Sequence, residues 1–148
     1  METKSDDLKF AAELIAAARV QGEAWALTWT ESAVETESEN AYLLVLRDQN
    51  AAPLGFLFLR PPGHAWEITL VAVKPDARGS GIFSVLIRQA EEFRKTQNGS
   101  AAVSSIDLEV RADNKSAIRA YEKHGFKVIG QRERYYSDGA AAILYRFE

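Results

Sequence analysis

Between Val73 and Ile82 the chain reads Lys74-Pro75-Asp76-Ala77-Arg78-Gly79-Ser80-Gly81. Glycines let backbone N–H groups turn toward a ligand, and the N-terminus of a following helix adds the positive end of its dipole, so this segment suits a phosphate. Helices ordinarily carry Asp or Glu in their first turn. Here the first acid after Gly81 is Glu91, which leaves the N-terminus open to an outside anion. For the two glycines alone, a tight strand-to-helix turn without a ligand is the competing reading. The spacing is not Gly-x-x-x-x-Gly-Lys-Ser/Thr, and Ser84 stands where a dinucleotide fingerprint needs a third glycine, so neither nucleotide motif applies.

Three more side chains carry possible chemistry. Tyr121 falls on the apolar side of a predicted helix, where by itself it reads as an ordinary packed tyrosine. Glu67 and Glu109 fall on the less apolar faces of two predicted strands, where by themselves they read as solvated strand residues. Cysteine is absent, which excludes disulfides, thiol nucleophiles and zinc-thiolate sites. The only histidines, His64 and His124, stand far apart without a companion, which argues against a metal site or a Ser-His-Asp triad. With 18 Lys+Arg against 21 Asp+Glu the net charge is −3. No nucleic-acid partner is expected of such a chain, because that affinity depends on clustered cations. The acidic start, Met1 to Asp7, lacks a basic and then apolar leader, and no apolar run approaches a bilayer span. We expect a cytoplasmic protein with no membrane contact.

The elements that must position these residues follow from periodicity. The length, 148 residues with 47% hydrophobic content, suits one domain over 1–148 with a single core. Helical spacing of Leu8, Ala11, Ala12, Leu14, Ile15 and Ala18 predicts a helix from Asp7 to about Val20, interrupted near Gly22. Thr30 reads as the N-cap of a short second helix, with Glu31, Glu35, Glu37 and Glu39 read as its solvated face. An amine-attracting rim is the other reading of those four.

Strands are predicted over Tyr42–Leu46, Leu54–Arg60 and Trp66–Val73, the first two as an antiparallel hairpin. In the third, Trp66, Ile68, Leu70 and Ala72 should share one face, with Glu67, Thr69, Val71 and Val73 on the other. A strongly periodic helix follows Gly81, with Arg88, Gln89, Glu91, Glu92, Arg94 and Lys95 as its polar face, and Thr96 to Ser104 reads as a surface turn. Ser105–Arg111 is the next strand. Asn114 should cap a helix from Lys115 to His124 that ends at Gly125, and Phe126–Glu133 with Ala141–Phe147 completes the chain as a hairpin. The fold class is α/β or α+β with a mixed sheet, without repeats or linkers.

Val71-Ala72-Val73-Lys74-Pro75-Asp76-Ala77-Arg78-Gly79-Ser80-Gly81-Ile82, followed by Leu108-Glu109-Val110-Arg111-Ala112-Asp113-Asn114-Lys115-Ser116-Ala117-Ile118-Arg119-Ala120-Tyr121-Glu122-Lys123-His124-Gly125-Phe126, resembles the GNAT superfamily of N-acetyltransferases. Within it the chain is most similar to the ribosomal-protein-alanine acetyltransferase branch. The resemblance runs from about Tyr42 onward, and the second stretch is the more specific. It implies a mostly antiparallel sheet splayed at two parallel strands, with helices on both faces. It also implies acetyl-CoA as cosubstrate and no metal.

By the same resemblance the pyrophosphate would lie on the backbone of Arg78, Gly79, Ser80, Gly81, Ile82, Phe83 and Ser84. The pantetheine would pair with the main chain of Val71 and Val73 and with Asn114, and Tyr121 would protonate the departing thiolate. Glu67 and Glu109 each resemble a position where family members carry a catalytic glutamate. Arg134-Tyr135-Tyr136 looks like the segment that holds the acceptor peptide, so Tyr135 and Tyr136 become substrate-binding candidates; half-buried aromatic packing is their other reading. Two departures stand out. Phe83 puts a bulky ring where the family's pattern has a small residue, and the N-terminal part is too short for the family's usual first strand.

A primary amine is the implied acceptor. A lysine ε-amine with a pKa of about 10.4 costs roughly 3.5 kcal/mol more to present neutral than an α-amine at about 7.8, so an α-amine tolerates a weaker base. We therefore expect N-acetylation of a protein or peptide N-terminus by direct attack, by a monomer or homodimer. A small-molecule amine acetyltransferase of the same fold is the nearest alternative, and a non-catalytic acyl-CoA-binding module is a third.

Overall fold

The computed structural model describes residues 4–98 and 105–148. Helix α1 (Lys4–Val20) buries Ala11, Leu14, Ile15 and Ala18, an i, i+3, i+4, i+7 stripe of the kind that drives a helix onto a sheet. It ends before Gly22, whose φ of +75° lies in the left-handed region that glycine adopts without strain. A 3-10 turn (Ala24–Ala26) leads to α2 (Glu31–Asn40), where the Thr30 side chain accepts from the Ala33 N–H as the expected N-cap.

Six strands follow: β1 (Tyr42–Arg47), β2 (Pro53–Arg60), β3 (Trp66–Val73), β4 (Ile106–Arg111), β5 (Lys127–Arg132) and β6 (Ala142–Phe147), with α3 (Ile82–Asn98) and α4 (Lys115–Lys123) around β4. They form one sheet in the order β1-β2-β3-β4-β6-β5. Only β3 and β4 pair in parallel, and their register runs from Trp66↔Ile106 to Ile68↔Leu108 and stops there. Beyond that point the strands part, giving the splayed sheet that the resemblance implied. No strand precedes α1 among the described residues, so β1 is a sheet edge. No helix among them is long and apolar enough to cross a membrane.

Instead of the expected single core there are two, one on each face. Leu57, Leu59, Trp66, Ile68, Leu86, Ile87, Ile106, Leu108, Tyr121 and Tyr145 lie in the larger, beneath α3 and α4. Phe56, Phe58, Leu70, Ala72 and Val34 join the α1 stripe in the other. Full burial of a Leu, Ile or Phe side chain contributes about 1.5–3 kcal/mol, so each layer holds its helices firmly.

Four expectations are corrected. The predicted alternation of β3 breaks at Thr69: Ile68 pairs with Leu59 and Leu70 with Phe58, so Thr69 is an extra residue, a β-bulge. Ile68 consequently enters one core and Leu70 the other. Glu37 is not on a solvated face but buried at 4% exposure, and Arg94 of α3 is buried at 6%, its guanidinium 5.2 Å from the centre of the Phe147 ring. Finally, Thr96–Asn98 belong to α3; the rest of that predicted turn, 99–104, lies outside the described residues.

Candidate active site

The fork between β3 and β4 opens into a cavity of about 690 Å³. Its walls bring together Thr69 to Val73 of β3, Arg78, Gly79, Gly81, Ile82, Phe83 and Ser84 of the loop and helix start, Glu109 and Arg111 of β4, Asn114, and Tyr121 of α4. Tyr136, from the loop between β5 and β6, closes the opposite side. Ser80 does not line the cavity; its hydroxyl donates to the Ala77 carbonyl at 2.6 Å and tightens the turn. Glu67 and Tyr135 are also outside the lining.

The glycine loop has the geometry its sequence suggested. Gly79 and Gly81 have φ of +83° and +85°, and a Cβ on either would meet nothing within 4 Å. The demand for glycine there is conformational, and the space beside both is open. Val85 N–H donates to Gly81 O as α3 begins, with no acid in its first turn, so the preceding helical amides are free donors at a positive dipole end. Arg78 turns away: its Nε donates to Val73 O at 3.2 Å and its Nη2 pairs with Glu23 Oε1 at 3.1 Å, tying the loop to the end of β3 and to the 3-10 turn. Phe83 packs its ring on Tyr121, with centroids 5.3 Å apart. The bulky ring that departs from the family's pattern thus lies against the tyrosine.

Helix α4 is capped by Asn114, whose Oδ1 accepts from Ala117 N–H at 3.3 Å and which lines the cavity. At the other end Gly125 takes φ of +98°. Tyr145 Oη donates to Glu122 at 2.8 Å and fastens α4 to β6; burial and that bond push the Tyr145 phenol up to about 12. Tyr121, 6% exposed, packs between Phe83, Phe126 and Tyr145. Burial, with a smaller contribution from Tyr136, raises its pKa above the ordinary phenol value.

Around Glu109 and Arg111, which line the cavity, lies a set of charged and phenolic groups, most of them outside the lining. Glu109 pairs with Arg132 at 3.3 Å, and Asp107 takes a two-point contact from Arg146 at 2.7 and 2.8 Å. The neighbouring Glu109 carboxylate raises the Tyr135 phenol above its ordinary value. Burial raises the Glu67 carboxyl, Arg60 opposes that, and the negative charges of Glu109, Glu37 and Asp107 add to it. Arg111 binds Asp113 through Nε and Nη2, both at 3.2 Å, and Asp138 through Nη2 at 2.7 Å, and sits 4.9 Å from the centre of the Tyr136 ring. These contacts bring the β5–β6 loop up to the cavity. Sequence reasoning missed Arg111 and Thr69 as cavity residues, because both depend on pairings distant in the chain.

A parallel-strand fork beside a glycine-led helix N-terminus is the arrangement expected from the motifs, and a comparison with known families decides its identity. The pattern of the Acetyltransferase (GNAT) family matches residues 10–126. The chain belongs to the GNAT family. Among its GNAT relatives, the [Ribosomal protein bS18]-alanine N-acetyltransferase of Escherichia coli K12 is 29% identical over 125 residues, covering 84% of this chain and 81% of that protein. N-alpha-acetyltransferase RimI of Mycobacterium tuberculosis is 35% identical over 88 residues, 59% of this chain and 51% of that one. The chain spans only 33%, 51% and 49% of the length of three curated relatives at 35% identity. The crystal structure of the E. coli ribosomal-protein-S18-alanine N-acetyltransferase superposes with a TM-score of 0.79 at 24% identity, covering 99% of this chain and 89% of that one. That likeness bears on the fold, and the GNAT fold is what the sheet order and fork display.

Proposed function

We propose that residues 1–148 act as one cytoplasmic domain that transfers the acetyl group of acetyl-CoA to the N-terminal α-amine of a protein or peptide. One observation carries this reading: a single cavity holds the fork, the open glycine loop, Tyr121 and Glu109 together. Acetyl-CoA, when bound, supplies an activated thioester that an amine can attack directly: the C–N bond forms, the C–S bond breaks, and no covalent enzyme intermediate is required.

The chain's own residues do the rest. The amides of Ile82, Phe83 and Ser84, with the backbone at Gly79 and Gly81, suit the pyrophosphate. The Val71 and Val73 main chain and the Asn114 amide suit the pantetheine. Glu109 accepts the proton lost by the amine, and Tyr121 gives one to the thiolate. Geometry favours Glu109 over Glu67, since Glu109 lines the cavity and Glu67 does not. Tyr136, braced by Arg111, and Tyr135 beside it, 5.2 Å between ring centres, frame the acceptor's entry.

The small-amine alternative leaned on the acidic stretch Glu31 to Glu39. Glu37 is buried and occupied by Arg60, which removes one of its four charges from any acceptor rim. The relative from E. coli is named for an alanine acceptor on bS18, so peptides with a free N-terminal alanine stand first in an acceptor panel, against polyamines and aminoglycosides. Thiol release with the peptides alone supports the proposal; release with the small amines alone favours the alternative.

Ligand binding gives an earlier check. CoA at 100 times its dissociation constant should add about 2.7 kcal/mol of stability, or about 5–10 °C in Tm for a chain of this size. Gly81→Glu places a carboxylate in the phosphate space and should abolish that shift. It costs about 1 kcal/mol in backbone strain, so the fold survives. A wild-type melt unmoved by millimolar CoA refutes the reading, and an undiminished shift in Gly81→Glu places the phosphate elsewhere.

A further inference from the structure

Glu37 is the only carboxylate buried to this degree among the described residues. Its Oε1 accepts from Arg60 Nη2 at 2.6 Å, and its Oε2 accepts from Arg60 Nε at 2.9 Å and from Thr69 Oγ1 at 2.8 Å. These bonds hold it ionised, with its pKa lowered despite burial. Arg60, the other half of the ion pair, is 45% exposed, and a pair so open to solvent contributes little stability by itself. The acid therefore calls for a reason beyond packing.

Thr69 supplies it. As the extra residue of the β3 bulge it has no partner in the register with β2. It also follows Ile68, the last residue in register with β4. Thr69 thus stands at the mouth of the fork, outside the register of both neighbouring strands, and it lines the cavity. Its hydroxyl bond to Glu37 joins this point to α2, which Val34 in turn anchors in the second core.

We propose that Glu37 is a positioning residue: through Thr69 it fixes the bulge, and so the distance between the β3 main chain and Tyr121 across the fork. This deepens the transferase reading and rests on it. The main chain from Val71 to Val73 continues directly from the bulge, so a shift at Thr69 carries the proposed pantetheine contacts with it. A misplacement of about 1 Å at a reacting centre can cost about 10²-fold in rate.

The test compares Thr69→Val, Thr69→Ser and Glu37→Gln with the wild type. Amide hydrogen exchange over residues 66–73, measured without ligand, should quicken in Thr69→Val and Glu37→Gln and stay unchanged in Thr69→Ser. Turnover with the best acceptor should fall at least tenfold in kcat in the first two, with CoA affinity within about threefold, and Thr69→Ser should retain kcat within about twofold. The double variant Glu37→Gln/Thr69→Val should be no slower than the slower single, since both act on one link. Unchanged exchange, a Thr69→Ser loss equal to that of Thr69→Val, or multiplying effects in the double variant overturns the proposal. Should Glu37→Gln fail to fold, the two Thr69 variants decide alone, because Val keeps the shape of threonine without its hydroxyl and Ser keeps the hydroxyl without the methyl. A wild-type protein that acetylates no acceptor overturns the transferase reading instead, and the exchange comparison then judges the anchor by itself.

Discussion

Replacing Tyr121 by phenylalanine is expected to lower kcat by about 10²-fold or more, with fold and CoA affinity intact. The ring is held by Phe83, Phe126 and Tyr145, contacts that phenylalanine keeps. Only the hydroxyl goes, and with it the proton proposed for the departing sulfur; removing a general acid typically costs 10²–10⁴-fold. Burial raises the phenol's pKa, so the hydroxyl carries its proton throughout the working pH range. The hydroxyl matters only as charge builds on sulfur, so the loss should appear in kcat and not in KM for the amine. A Tyr121→Phe protein with wild-type kcat would show that the residue is core packing.

Glu109→Gln should cost a similar 10²–10⁴-fold with an α-amine acceptor, whereas Glu67→Gln should cost less than about tenfold. The two substitutions are alike in shape and charge, so the difference between them reports position. Glu109 lies in the cavity wall with Tyr121 and Tyr136; Glu67 lies outside it, opposite Arg60. Raising the pH from about 6 to 9 should partly restore Glu109→Gln, because a larger fraction of an α-amine is then already neutral. Full activity in both variants across that range would mean that neither carboxylate is the base and that water takes the proton. The reverse ranking would assign the role to Glu67.

What was legible in the sequence was local. Thr30, Asn114 and Gly125 announced helix ends because capping depends on a residue and its next three or four neighbours, and the span of β3 followed from its apolar run. The glycine loop was readable for the same reason. Glu37 was misread because it was grouped with Glu31, Glu35 and Glu39. Those three recur every four residues along one exposed side, while Glu37 falls three after buried Val34, on the inward stripe. Arg94 repeats the case: it lies four residues after Ala90 and seven after Ile87, both buried. Strict attention to helical period would have flagged both. No local signal marks the Thr69 bulge or the contact of Arg111 with Asp138, since each is defined by a partner strand or loop remote in the chain.

The bulge also separates what folding requires from what the site requires. Delete Thr69 in thought, and Ile68 and Leu70 become neighbours facing opposite cores, as ordinary strand residues do. Their pairings with Leu59 and Phe58 and both hydrophobic layers would be satisfied as before. The two hydrophobic layers by themselves do not call for the extra residue; what it adds is a hydroxyl, bonded to Glu37, at the point where the two parallel strands part.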